Sequence, residues 1–101
     1  MMQGDSYGLK IEILNADGVA VTPDDISDVE ITVGFIRKTY TNVEIFYSDG
    51  SWVIPLTQEE TFTLPATRVK AQVRVMWKDG LVEGASLGEI RVHESISKVV
   101  L

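Results

Sequence analysis

The segment Arg68–Lys78 alternates strictly between apolar and polar residues, and this alternation limits the folds open to the chain. Side chains in a β-strand point alternately to opposite faces of the sheet, whereas an α-helix repeats its apolar face about every 3.6 residues. The pattern therefore predicts a long strand with one buried and one solvated face, as in antiparallel sheets. The predicted buried face consists of Val69, Ala71, Val73, Val75 and Trp77.

The same alternation recurs in shorter segments along the chain. It predicts further strands at Leu9–Ile13, Val29–Phe35, Val43–Tyr47, Trp52–Leu56, Leu81–Glu83 and Leu87–Val92. The last two are predicted to be separated by a break at Gly84–Ser86. Gly34, in the middle of a predicted strand, indicates a bulge or a close approach of backbone, and Pro55, which lacks an N–H, indicates a strand end or an edge.

Turn signals of one kind lie between these segments. Asp-Gly occurs at Asp17–Gly18, Asp49–Gly50 and Asp79–Gly80, and glycine tolerates the positive φ that tight hairpin turns require. A meander of hairpins is therefore predicted. Helix signals are confined to single turns, one at Thr22–Ile26 with proline at its first position and one at Thr57–Glu60 with the spacing of a capping box.

About seven short strands in 101 residues, with turns at nearly regular spacing, predict a fold class. We expect a single domain over residues 1–101, an all-β, immunoglobulin-like antiparallel β-sandwich, with a small barrel as the alternative. The chain has no cysteine, so no disulfide can join the two sheets. Packing of Trp52 and Trp77 with the alternating Val and Ile faces is predicted to hold them together.

Composition argues against most enzyme chemistry. The absence of cysteine excludes thiolate zinc sites and cysteine catalysis, and one histidine, His93, argues against a histidine-based triad or a poly-histidine metal site. The acid cluster Asp24, Asp25 and Asp28 lacks calcium-loop spacing and is interpreted as a solvated turn. We therefore predict no enzyme activity, no cofactor and no metal site.

The formal net charge is −6, and it originates in the first half of the chain. Residues 1–50 carry nine acids and three bases, whereas residues 51–101 carry six of each. This balance disfavours nucleic acid and anionic membranes as partners. The start, MMQGDSYGLK, lacks the features of a signal peptide, and no apolar run approaches the roughly 20 residues that span a bilayer. Synthesis in the cytoplasm is expected.

Two groups of residues are predicted as protein interfaces. On the polar face of Arg68–Lys78, Met76 and Arg74 form a mixed surface typical of a contact patch. The chain finishes on Val99, Val100 and Leu101, whereas free tails are commonly polar. These apolar residues either add a last strand to the chain's own sheet or dock onto a neighbouring subunit by strand addition; both alternatives remain open.

Several segments together resemble a known family. They are Leu9–Val21, Asp25–Thr39, Trp52–Phe62, Ala71–Val75 and Ser95–Lys98. The chain looks like the immunoglobulin-like domain at the N-terminus of phage baseplate upper proteins, and like short stand-alone phage and prophage structural proteins. The resemblance implies a non-enzymatic subunit of a tail or baseplate that assembles with itself or with other phage proteins, made in the host cytoplasm and then carried in the virion.

One alternative function comes from the aromatic residues. Loops of β-sandwiches commonly carry ligands, and a sugar-binding platform needs exposed rings. Phe46 and Tyr40 are the aromatic residues expected to be most exposed. The alternative is therefore a small module that binds carbohydrate or a host surface.

Overall fold

The computed structural model describes all 101 residues. The alternating segments form seven strands, joined by turns, one 3₁₀ turn and one short α-helix. The strands are β1 (Tyr7–Ile11), β2 (Ile26–Val33), β3 (Ile36–Thr39), β4 (Phe46–Ser48), β5 (Ser51–Leu56), β6 (Arg68–Trp77) and β7 (Val82–Arg91). The 3₁₀ turn spans Pro23–Asp25, and the helix α1 spans Gln58–Phe62.

The strands form two antiparallel sheets, with orders β1-β5-β4 and β3-β2-β6-β7. The predicted antiparallel β-sandwich of seven strands is thus confirmed. Its strand order has a feature that alternation does not specify. In immunoglobulin constant domains the second strand lies between the first and the fifth, whereas here β2 lies between β3 and β6. In this four-stranded sheet β2 and β6 are the central strands, and β3 and β7 are the edge strands.

A single cluster of fifteen buried apolar residues fills the space between the sheets. Trp52 is completely buried, its indole N–H donates to the Val21 carbonyl at 3.3 Å, and the rings of Tyr40 and Tyr47 pack edge-on against it. The predicted core position of Trp52 is confirmed. Trp77, at the end of β6, is only half-buried and packs against the margin of the core.

The segment Val29–Phe35 does not continue as one strand. Gly34 and Phe35 form a two-residue turn between β2 and β3, and Phe35 is exposed at its tip. Gly34 has φ +60°, and a Cβ there would lie 3.2 Å from Leu64 Cδ2. Gly34 is thus a turn residue packed closely against the Leu64 side chain, and the predicted strand through Phe35 is wrong because the glycine reverses the chain.

β7 differs from its prediction in the opposite way. One strand replaces the two that were predicted, and Gly84–Ser86 pair regularly with β6. The irregularity lies instead at Leu87, an extra residue next to Gly88 with φ +86°. It is a β-bulge, and bulges interrupt a ladder without ending the strand. The observed number of strands still equals the predicted seven, because β3 was not predicted and β7 was predicted as two strands.

Two of the three predicted Asp-Gly hairpin turns are confirmed, whereas Asp17–Gly18 lies between residues that form only one isolated bridge, Leu14 with Ala20, and the predicted meander of hairpins is wrong because β1 pairs with β5. Asp49–Gly50 joins β4 to β5, and Asp79–Gly80 joins β6 to β7. Thr57 and Glu60 form the predicted capping box of α1, with reciprocal side-chain bonds to backbone N–H groups of 2.9 and 3.2 Å. β4 pairs only with Ser51–Val53, so β5 has one neighbour at Pro55, where an edge was predicted. No helix is long and apolar enough to cross a membrane.

Candidate functional site

The outward-facing side of the four-stranded sheet, here called the basic face, concentrates positive charge in an acidic protein. Register places on it five of the nine Lys and Arg residues and three of the fifteen acids. The cations are Arg37, Arg68, Lys70, Arg74 and Arg91, and the acids are Asp28, Glu30 and Glu89. The face therefore carries a formal charge of +2, and the rest of the chain carries −8.

Glu30 organises the centre of the basic face. Its side chain is 10% exposed and accepts a hydrogen bond from Arg74 Nε at 2.6 Å and another from Arg37 Nε. The bond from Arg74, opposed by burial and reinforced by Arg37, lowers the pKa of Glu30 to about 2. The same contact raises the pKa of Arg74. Both arginine side chains remain more than half exposed, so N–H groups that do not bond Glu30 can reach a partner.

A shallow groove of about 450 Å³ lies beside Arg74. Thr32, Lys70, Gln72 and Ser86 line it with hydroxyl, ammonium and amide groups, because Gly84 and Ala85 on β7 contribute almost no side chain. Donors predominate in this lining. The groove is chemically suited to carbonyl and carboxylate acceptors on the surface of another molecule.

Next to the ion pairs is a smaller apolar spot. Met76 and Val82 face each other across β6 and β7, are 41% and 51% exposed, and line a depression of about 210 Å³ with Glu30 and Arg37. Exposed methionine and arginine with a polar surround are enriched in protein interfaces. The structure thus brings the two predicted interface residues Arg74 and Met76 onto one surface.

The segment Ser95–Leu101, here called the tail, lies elsewhere. It forms no strand, so the alternative in which it completes the chain's own sheet is wrong. Its backbone is held by side chains instead: Leu101 N donates to Gln58 Oε1 at 2.8 Å, and Gln58 Nε2 donates to the Leu101 carbonyl at 3.3 Å. Val99, Val100 and Leu101 remain exposed. Docking of the tail on a neighbouring subunit stays a prediction.

The two predicted interface groups are not neighbours in one copy. Met76 pairs with Val82 at the first residue of β7, whereas the tail follows Arg91 at the last. Because β7 has ten residues, about 30 Å separates the Met76–Val82 pair from the end of β7, after which the tail begins.

The aromatic residues predicted for sugar binding do come together. Phe46 and Tyr40 line an open groove of about 540 Å³ with Val43 and Tyr47. Phe46 is half exposed as predicted. Tyr40 is more buried than predicted, because its ring packs against Trp52 at 5.3 Å.

The sequence did not predict the ion-pairing roles of Glu30 and Lys38. Alternation places Glu30 and Arg74 each on a polar face, but only the pairing of β2 with β6 makes them neighbours. Lys38 points inward, is 14% exposed and lies 2.5 Å from Glu60, which ties β3 to α1. Burial alone would raise the pKa of Glu60, and the hydrogen bonds from Lys38 and Thr57 outweigh it and lower that pKa.

Comparisons with protein-family models, with curated proteins and with solved structures gave no match for this chain. The surfaces described above are therefore interpreted from their own chemistry.

Proposed function

We propose that this protein is a non-enzymatic structural or adaptor subunit of a phage or prophage, associated with a tail or baseplate, that acts through protein–protein contacts on its basic face. The observation that carries the contact role is the separation of charge between this face and the rest of the chain. The sequence resemblance to baseplate domains supports the phage setting.

Charge separation favours one orientation of a partner. A surface rich in carboxylates is attracted by the exposed guanidinium groups of Arg37 and Arg74 and repelled by the remaining surface. Because Glu30 already fixes the position of both arginines, little side-chain entropy is lost when a partner binds them. Met76 then supplies apolar contact at the margin of these charges.

Site-specific cross-linking tests this proposal. A photo-crosslinking amino acid at Met76 is expected to capture a tail or baseplate protein encoded in the same gene neighbourhood, and Lys70→Glu is expected to weaken the capture by reversing one charge on the face. The same cross-linker at the exposed Asp17 is the control. Equal capture from both positions, or neighbouring genes of metabolic enzymes, would contradict the proposal.

The groove around Phe46 and Tyr40 favours a second candidate function, the binding of carbohydrate or a host surface. Aromatic rings in one open groove provide the apolar faces on which sugar rings stack. A glycan-array signal that is lost in Phe46→Ala and kept in Phe35→Ala would favour this candidate over the first. Both substituted rings are exposed, so neither change empties the core.

A further inference from the structure

β7 is an edge strand whose outer side is unpaired. It pairs only with β6, and no backbone hydrogen bond outside the helices and strands involves Val82–Ile90. The bulge at Leu87 interrupts the edge, so the regular part is Val82–Ser86. Unpaired N–H and C=O groups along a regular edge are a template for another strand.

The tail is rich in the β-branched residues that favour strands, but it belongs to neither sheet. Ile96, Val99 and Leu101 are 102%, 72% and 104% exposed, although they are apolar. Ser95 N donates to Gln3 Oε1 in a partly buried bond of 3.3 Å at the start of the tail. The bonds that hold Lys98 to Gln3 and Leu101 to Gln58 are exposed, and water can replace them. When extended, the tail would place Ile96, Lys98 and Val100 on one face and Ser97, Val99 and Leu101 on the other.

We infer that the tail of one copy adds as an antiparallel strand to the β7 edge of a second copy, with Lys98 opposite Glu83. Glu83 is exposed and makes no ion pair within its own chain, and Lys98 makes only a long one, 3.6 Å, with Glu94. Opposite charges placed directly across an antiparallel pair stabilise it.

This register also matches the apolar residues on both faces. It places Val99 opposite Val82, next to Met76, on the basic-face side of the sheet. On the other side it places Val100 opposite Leu81, which is 63% exposed and adjoins Trp77. A shift of one residue would move every tail side chain to the opposite face and separate Lys98 from Glu83. The predicted interface residues of the tail and of β6 thus meet in one contact between copies.

A single copy cannot make this contact with itself. Pairing Lys98 with Glu83 in the same chain would require a reversal near Arg91, which is part of β7 and pairs with Arg68. The contact is therefore head-to-tail between copies. Each copy keeps one free tail and one free edge, so association continues with increasing protein concentration. This inference concerns self-association and does not depend on the phage setting.

Charge reversal tests the register. In sedimentation velocity, the average mass of the wild-type protein is expected to rise with concentration to at least about twice the 11.2 kDa of one chain. Glu83→Lys alone and Lys98→Glu alone are expected to stay near one chain mass. An equimolar mixture of the two variants is expected to associate again, because each tail then meets an edge of opposite charge.

The matched control is Glu89→Lys, which makes the same charge change on β7 beyond the bulge and is expected to associate like the wild type. Circular dichroism confirms that each variant is folded, and all three substituted side chains are exposed. A wild-type protein of one chain mass at all concentrations would overturn the inference. So would single variants that associate normally, or a mixture that does not recover.

Discussion

Glu30 connects three strands through a single carboxylate. It lies on β2, and its two oxygens accept from Arg37 on β3 and Arg74 on β6. An ion pair between exposed side chains contributes little, but the near-complete burial of Glu30 reduces screening by water. The carboxylate therefore contributes to stability as well as to the shape of the basic face.

Glu30→Gln is predicted to lower the free energy of unfolding by about 2 kcal/mol at neutral pH, because it removes the negative charge and leaves one acceptor oxygen for two guanidinium groups. Urea unfolding followed by tryptophan fluorescence measures this loss. Asp24→Asn, at an exposed position, removes the same charge and is expected to change stability by less than about 0.5 kcal/mol.

The contribution of Glu30 is also predicted to depend on pH. Its pKa is about 2 in the folded protein against an ordinary value of 4.5, so the unfolded chain takes up the proton first as pH falls. The stability difference between the wild type and Glu30→Gln should therefore shrink as pH falls from about 4.5 to 2. A difference that stays constant across this range would contradict the role assigned to the carboxylate.

The hairpin formed by β2 and β3 depends on one glycine at its turn. Gly34 combines a positive φ with a close approach to Leu64. Gly34→Ala is predicted to cost about 1–2 kcal/mol, from backbone strain and displacement of Leu64. Gly18→Ala is the matched control, because Gly18 also has a positive φ but no atom within 4 Å of the added Cβ. Urea unfolding should give the larger loss for Gly34→Ala, and equal losses would contradict the packing role.

The elements differ in how far the sequence predicts them. β6 was predicted to within one residue, because burial on one face alone imposes strict alternation. β3 was not, because Arg37 is exposed, Lys38 points inward toward Glu60, and the segment shows no apolar alternation. The predicted break at Gly84–Ser86 is wrong, because these small residues are compatible with a break and only pairing with β6 shows that the strand continues to a bulge at Leu87.

The candidate site was predictable only in part for a related reason. Alternation places Arg74 and Met76 on an outer face, and it does so without knowledge of neighbouring strands. The ion pairs of Arg74 and the apolar contact of Met76 with Val82 depend on strand order, which the period of two leaves open. The tail was recognised as apolar, but its attachment to Gln58 involves residues 43 positions apart.

The molecule as a whole is elongated, with extents of 46 × 22 × 22 Å. Its charge is divided between a basic face and an acidic remainder, and its open edge and its tail lie at opposite ends of β7. Each copy therefore has a tail that can add to the β7 edge of another copy, and a β7 edge that can pair with another copy's tail. On this arrangement, the β7 side of the four-stranded sheet is a contact surface.

Residue-resolved amide hydrogen exchange of the intact protein at several concentrations tests whether the β7 edge is a contact surface. The outward amides of Val82–Ser86 are predicted to exchange rapidly in dilute solution and to become protected as concentration rises, while the amides of β2 stay protected throughout. Glu83→Lys should abolish the concentration dependence. If these β7 amides exchange equally fast at every concentration, the β7 edge is not a contact between copies.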